Sequence, residues 1–434
     1  MYKVVSSWRE VYADLLISKP RVSVIQGVAG CGKSTLLREL WRKDPDHTLC
    51  LAPTGIAAQN IRDRGCPAST IHSAFRLKPV DIHIFNYSDY EEHENMLRSI
   101  NLLIIDEMSM VDISLMEWIL ELLEASCQNG HAIMLVLLGD VCQLPPIFKV
   151  PDELADIKDR MFGENKFFFN SPSFSSLTPR IYLMDKVYRQ QDEAFSNALL
   201  SLRRKPVPKK SLRLINSRVC GRDEFAETCG SSFLTVVATN REKDAINGAE
   251  QTRLEEAGME CFAYQTCYEG ILANPDMGRI PAEIVIHRGE QVMCTCNSDE
   301  YQNGTIGIVE RFSDGALPIV RGVNGRPFEV QMHTLTDMLP RVRKGRIEYV
   351  EGGSITMLGC QSAYAATVHK IQGLTLDKLY FKLGHWVPES GVYVALSRCR
   401  QLEDIGISRP IAENDIKYSS EAMSFFSRFA DDAA

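Results

Sequence analysis

Four short runs in the first third of the chain are apolar at almost every position: Val22 to Ile25, Thr48 to Ala52, Leu102 to Ile105 and Ile133 to Leu138. A strand buried on one face alternates, whereas a strand covered by helices on both faces has no polar side, so these runs predict a parallel sheet inside an α/β domain. Stretches of helical period lie between and before them. Trp8 to Leu16 places Trp8, Val11, Tyr12, Leu15 and Leu16 on one face, Ser34 to Leu40 starts a second helix, and Thr54 caps a third that runs to Asp63, with Gly65 closing it. Residues 66–99 keep no clear period, carry acids between Asp89 and Glu94, and predict an excursion from the sheet, either a small subdomain or a mobile loop. A second α/β series follows: helix Tyr188 to Arg204, strand Phe233 to Asn240, helix Arg241 to Ala257, helix Ala363 to Val368, strand Lys378 to Leu383 and helix Val392 to Arg398. From Arg288 to Gly353 the pattern turns to short alternating strands with Gly and Pro turns and the hairpin signal Asn303-Gly304, which predicts a small β-barrel insert. The domains expected are therefore 1–182 with an insert at 66–99, then 183–287 together with 354–434, and the barrel at 288–353.

The apolar runs end in residues that carry chemistry. After Val22 to Ile25 comes GVAGCGKST, the pattern G-x-x-x-x-G-K-S, with Gly27, Gly32, Lys33 and Ser34 at its fixed positions and Gly30 and Cys31 inside the loop. Glycine backbone can curl around phosphate oxygens and aim successive N–H groups at them. Lys33 reaches the β- and γ-phosphates, Ser34 binds Mg²⁺, and Thr35 stands in the first turn of a helix whose positive end adds its field. The run ending at Ile105 delivers Asp106 and Glu107; an aspartate there holds Mg²⁺ through water and the adjacent glutamate polarises the water that attacks the γ-phosphate. The run ending at Leu138 delivers Gly139, Asp140 and Gln143, whose amide can sense a phosphate. Strands that share one such edge form a RecA-like nucleotide-binding core.

Composition narrows the setting. The 434 residues leave room for two or three domains, and 45% hydrophobic with 24% charged residues is ordinary for a globular chain. No apolar run approaches the roughly 20 residues of a membrane span, and the N-terminus lacks the apolar core of a signal peptide. Thirteen scattered cysteines, mostly inside apolar stretches, read as buried thiols in a reducing compartment, and the Cys294-x-Cys296 pair has no second pair at zinc spacing. A soluble intracellular protein is expected, cytoplasmic or nucleoid-associated. The net charge of −8 argues against blanket attraction to nucleic acid, but Arg203 to Arg213 and Arg341 to Arg346 are locally basic and acid-free.

Taken in order, GVAGCGKST, APTGIAAQNI, STIHSAF, LIIDEMSMVD, GDVCQLPPI, VYRQ and ATVHKIQGLTLD with VYVALSR make the chain from 22 to 400 resemble a superfamily-one helicase, closest to the RecD and petite-integration-frequency (PIF) branch. The resemblance implies two RecA-like domains with ATP and Mg²⁺ in the cleft between them, a wedge insert in the first domain and a β-barrel insert in the second. It implies 5′-to-3′ movement on single-stranded DNA, unwinding of tailed duplexes, and a monomer. Lys33, Glu107 and Gln143 would act on ATP from the first domain, and Arg189 and Arg398 would reach over from the second as arginine fingers. Gln372 and Gly373 of HKIQG would also touch nucleotide. Strand contacts would fall on Pro53, Thr54, His72, Phe75, His369 and Lys370, and the wedge at 66–99 would stack Phe75, Phe85 or Tyr87 on the terminal base pair.

Two positions depart from the family pattern. No glutamine precedes Gln26 to read adenine, and Ile371 stands where serine is common, which removes a hydroxyl donor. The competing readings are an RNA helicase of viral type and an ATP-switched translocase that binds single strands without separating them.

Overall fold

The computed structural model describes residues 2–28, 30–78, 82–148, 150–184, 192–203, 206–230, 232–270, 280–322 and 325–430. Its largest sheet has seven strands in the order Tyr2–Val5, Arg180–Met184, Val22–Gly27, Met134–Gly139, Leu102–Ile105, Thr48–Ala52, Ser69–Thr70. Every neighbouring pair is parallel. All seven strands therefore finish at one rim, and that rim collects the loops that the sequence marked. The four apolar runs are its interior strands, with Val24, Ile25, Leu49, Leu103, Ile104 and Leu137 fully buried between helices on the two faces. The flanking strands Tyr2–Val5 and Arg180–Met184 escaped the periodicity because one is short and half-exposed and the other follows a proline-rich connection.

A second parallel sheet has the order Ala365–Thr367, Leu234–Val237, Leu379–Phe381, Ile405–Ile407. The helix expected over Ala363 to Val368 is thus a strand. Its alternating small residues are buried on both sides against Leu234–Val237, and a short apolar run cannot be assigned to helix or strand by period alone. Together the two sheets and their helices make the α/β, two-domain RecA-like architecture, and antiparallel sheets are added to it. The β-rich insert is built on Pro327–Glu329, Pro318–Gly322, Ile306–Phe312, Gln291–Cys294 and Cys360–Ser362 in that order.

The longest pair of strands, Met332–Arg343 and Arg346–Leu358, pairs with Cys267–Gly270 and reaches the first sheet as an arm. Thr48–Ala52 is covered by Ser69–Thr70 only at Leu51 and Ala52. Beyond them the Cys50 amide donates to the Tyr349 hydroxyl at 3.3 Å, Ile347 joins the first core, and Arg346 pairs with Asp46 at 3.2 Å. An open strand edge is a liability, and here a segment distant in sequence closes it.

Residues 66–99 do leave the sheet's regular pattern, but they are packed. Ser69–Thr70 is an edge strand, Ile71–Phe75 a short helix, and Tyr87–Leu97 a helix lying on Ile113–Gln128. Phe75 is 2% exposed, with its ring edge-on to Trp118 at 5.2 Å and to His93 at 5.3 Å. A ring held in that core cannot stack on a base, so the assignment of Phe75 to strand contact is corrected. The acids have structural work as well: Asp89 accepts from the Trp118 indole at 2.9 Å and from the Asn86 amide at 2.9 Å. Tyr87, 53% exposed, is the aromatic of this region that faces solvent.

Phe75→Ala should therefore behave as a core deletion and lower stability by about 3–5 kcal/mol. The check is the denaturation midpoint measured alongside strand affinity; a weakened strand complex with an unchanged midpoint would contradict the packing.

Candidate active site

The loop after Val22–Gly27 turns by way of Gly30 at φ 81° and Gly32 at φ 102°, and the helix Lys33–Lys43 starts directly from it. A Cβ on Gly27 would collide with the Cys31 sulfur, so the residue must be glycine for the loop to close this tightly. The Lys33 ammonium donates to the Gly27 carbonyl at 2.7 Å and the Val28 carbonyl at 3.0 Å, which holds it over the mouth of the loop. Ser34 Oγ accepts from Arg64 Nη1 at 2.6 Å. Trp8, on the helix Trp8–Ser18, lies against Gly32.

Asp106 and Glu107 follow Leu102–Ile105 at the same rim. The Glu107 amide donates to Asp106 Oδ1 at 3.0 Å, and Glu107 itself sits in the left-handed region at φ 52°. That conformation is uncommon for a side chain with Cβ and is held by packing: a Cβ on Gly139 would stand 2.9 Å from the Met108 amide, so the neighbouring strand must end in glycine for this turn to fit. Burial raises the Asp106 carboxyl above the ordinary range against the pull of the Glu107 amide, Lys33 and Arg64. Burial also raises Glu107, and the charge of Asp106 pushes it further. Two carboxyls made costly to ionise, beside a serine hydroxyl and a lysine, suit a site completed by a hard cation and phosphate. Ser34 and Asp106 are the residues that could hold such a cation, and a Mg²⁺ that keeps most of its waters would need no larger cage. No cluster of three or more His, Cys, Asp or Glu able to hold a metal occurs among the described residues.

The second lobe closes the cleft around Asp140, a residue fully shielded from solvent. Gln26 Nε2 donates to Asp140 Oδ1 at 2.6 Å, the Cys142 amide at 3.1 Å and Arg203 Nη2 at 2.8 Å, while the Tyr393 hydroxyl donates to Oδ2 at 2.9 Å. Gln26 also accepts from the Val141 amide at 3.0 Å. Burial alone would raise this carboxyl, but Arg203, Lys33 and the hydrogen bonds from Gln26 and Tyr393 outweigh it and hold it below the ordinary carboxylate range. Gln372 Nε2 donates to Gln143 Oε1 at 3.3 Å across the cleft, and Gly373 at φ 82° faces Asn60 of the first lobe. Arg398 is 1% exposed, donates to the Val394 carbonyl at 2.9 Å and the Ser397 hydroxyl at 2.7 Å, and its charge is felt by Glu107. Arg189 lies outside the described residues.

The structure thus gathers Gly27, Gly30, Cys31, Gly32, Lys33, Ser34, Thr35, Asp106, Glu107 and Gln143 at one rim, with Gln372, Gly373 and Arg398 facing them. The expected strand contacts are more scattered. Pro53 and Thr54 stand at the start of helix Gly55–Arg62, where the Thr54 hydroxyl accepts from the Ala57 amide at 3.2 Å and so caps it. Burial and the neighbouring His83 push His72 down to about 4, so it is a neutral ring at pH 7 and no phosphate cation. His369 and Lys370 lie on the turn after Ala365–Thr367. Ile371 is fully buried in the second-lobe core, so its missing hydroxyl is a packing choice. Sequence reading did not single out Gln26, Arg203 or Tyr393 as cleft residues. Gln26 carried a signal, a polar residue near the end of an otherwise apolar strand, whereas Arg203 sat inside a basic run after helix Glu193–Ser201 and Tyr393 inside helix Gly391–Leu396, where nothing local marks them.

A family model described as an AAA domain matches residues 6–161. The Campylobacter jejuni protein named ATP-dependent DNA helicase Pif1 is 26% identical over 398 residues, covering 86% of this chain and 86% of that one. Human ATP-dependent DNA helicase PIF1 is 26% identical over 405 residues, covering 88% of this chain but 57% of its own length. Among solved structures, Bacteroides sp Pif1 in complex with ADP-AlF4 superposes with a TM-score of 0.82 at 26% identity, covering 99% of this chain and 97% of that one. Bacteroides Pif1 bound to ssDNA gives a TM-score of 0.65 at 28% identity, with coverage of 97% and 95%.

Arg203→Met removes the counter-charge of a fully buried carboxylate and should cost about 3–5 kcal/mol of stability near neutral pH. The sign of the pH dependence follows from Asp140: its folded pKa lies below its unfolded one, so its contribution is complete above the ordinary carboxylate range and is lost as pH falls through the folded value. The variant should lose part of this acid-side slope, which denaturation midpoints measured from neutral to acidic pH will report.

Proposed function

Since the chain belongs to the RecD and PIF branch of the superfamily-one helicases, we propose that it is an ATP-dependent DNA helicase that moves 5′-to-3′ on single-stranded DNA and opens tailed duplexes. The observation that carries this reading is a cleft whose two walls come from different lobes and are joined through Asp140 and the Gln143–Gln372 pair. A nucleotide site assembled only when two bodies meet converts hydrolysis into relative motion, because each change at the phosphates alters what holds the lobes together. We take the first lobe as 1–182, the second as 183–287 with 354–434, and the insert as 288–353.

In the reaction, Lys33 and the loop amides hold the β- and γ-phosphates. Ser34 and Asp106 would hold Mg²⁺, which neutralises charge on the phosphate oxygens. Glu107 orients the attacking water and takes its proton as the oxygen bonds to the γ-phosphorus and the bond to the ADP oxygen breaks. Gln143 senses the γ-phosphate, and Arg398 with Arg189 stabilises the charge that develops there. A planar cation supplied from the opposite lobe accelerates such transfer by roughly 10³ to 10⁵ and ties it to closure. Pro53, Thr54, His72, His369 and Lys370 would line the single strand across the rims. The chain is read as a monomer in a reducing intracellular compartment, a setting suited to its many buried thiols.

The burial of Phe75 favours one second reading. With that ring in the core, strand separation by a wedge rests on Tyr87 and Phe85, and a translocase that hydrolyses ATP without separating strands remains the competing function.

Two measurements test these readings. Lys33→Ala should lose ATP turnover by more than tenfold and keep its hold on single-stranded DNA; turnover within tenfold of wild type would contradict the assignment. At fixed ATP and Mg²⁺, a partial duplex with a 5′ tail should be unwound and one with a 3′ tail left intact. Unwinding of neither, with DNA-stimulated ATPase preserved, would select the translocase.

A further inference from the structure

Trp386 is the largest exposed side chain outside the cleft, with 52% of its surface open. Single surface hydrophobics are ordinary, so its exposure alone decides nothing. Its setting does. The residue sits on the loop that leaves Leu379–Phe381, and because the second sheet is parallel that loop opens on the same rim as His369 and Lys370, which follow Ala365–Thr367. The loop is anchored on both sides of the ring. Arg409 Nη2 donates to the Gly384 carbonyl at 2.9 Å while the same guanidinium grips Asp415 through two bonds of 2.8 Å. Val387 is buried in the second-lobe core, and Glu389 pairs with Lys166 of the first lobe at 3.0 Å. The indole is therefore held out on a fixed base.

One cation stands over it. The Lys417 ammonium lies 5.6 Å from the ring centroid. Two residues before Trp386, Gly384 abuts Glu242 in the first turn of helix Asn240–Glu256, whose carboxylate is already held by the Thr239 amide and hydroxyl. A rigid, solvent-facing aromatic ring with an ammonium group beside it on the rim is what sequence-independent single-strand binding uses: a base stacks on the ring and a phosphate meets the cation.

We propose that Trp386 is a base-stacking platform that extends the single-strand site along the second lobe, with Lys417 taking the adjoining phosphate. The proposal deepens the strand-binding reading and rests on it. Trp386 lies outside the motifs on which the strand contacts were placed, and it gives the track an aromatic contact that the buried Phe75 does not provide.

The chain has four tryptophans, Trp8, Trp41, Trp118 and Trp386, so the quenching that belongs to Trp386 is the difference between wild type and Trp386→Phe. Binding of a fluorescein-labelled oligothymidine is followed by anisotropy, and indole quenching is followed with the unlabelled strand. Wild type should bind and be quenched. Trp386→Phe should lose most of the quenching and keep most of the affinity, because the ring remains. Trp386→Ala, with an unchanged thermal midpoint as its fold control, should bind at least about fivefold more weakly, since stacking of one base contributes roughly 1–3 kcal/mol. If wild type binds the strand but Trp386→Ala binds within twofold of it, or Trp386→Phe is quenched as strongly as wild type, the platform is overturned and the strand-binding reading stands. If wild type binds no strand, both fall.

Discussion

The cleft depends on one buried charge. Asp140 is shut away from water yet kept ionised, which is possible only because donors converge on it from both lobes: Gln26 and the loop amide of Cys142 from the first, Arg203 and Tyr393 from the second. An isolated carboxylate at that depth would be prohibitively costly, so the lobes cannot part there without leaving a charge unpaired or admitting water. The same carboxylate is three residues from Gln143, and its partner Gln26 precedes the P-loop glycine. Whatever alters the distance between lobes is felt directly at the glycine loop and at Gln143.

Around that charge the backbone is shaped by close approach. Glu107 is held at positive φ beside a strand that ends in Gly139, and Cys31 occupies the space that a side chain at Gly27 would need. These constraints fix where the Glu107 carboxyl and Lys33 point, and a pre-positioned group reorganises little during a reaction. The burial that makes Asp106 and Glu107 reluctant to ionise has the same origin, and it suits a pair meant to work beside a dication.

The lobes are also joined away from the cleft. The arm of Met332–Arg343 and Arg346–Leu358, though inserted in the second half of the chain, completes the edge of the first sheet through Tyr349 and Ile347, and Ser73 meets Asp337 at 3.3 Å. Lys166 and Glu389 make a third crossing near Trp386. Relative motion must therefore break or slide contacts at several separate places.

The amino-acid sequence by itself determined the sheet interior and the phosphate chemistry. Short apolar runs bounded by glycine and polar turns suit strands buried on both faces, and the glycine, lysine and carboxylate positions at their ends follow local rules of backbone freedom and charge. Strands Thr48–Ala52 and Leu102–Ile105 were legible to the residue for that reason. What needed the tertiary structure was everything set by residues far apart in the chain. Phe75 is a core ring because Trp118 and His93 enclose it, Ala365–Thr367 is a strand because Leu234–Val237 lies alongside, and Arg203 leaves its basic run because Asp140 waits across the cleft. Pattern records which face of an element is apolar; only packing decides which partner that face meets, and it is the partner that turns a histidine neutral, a basic residue into a buried counter-ion and a lone indole into a surface that can be used.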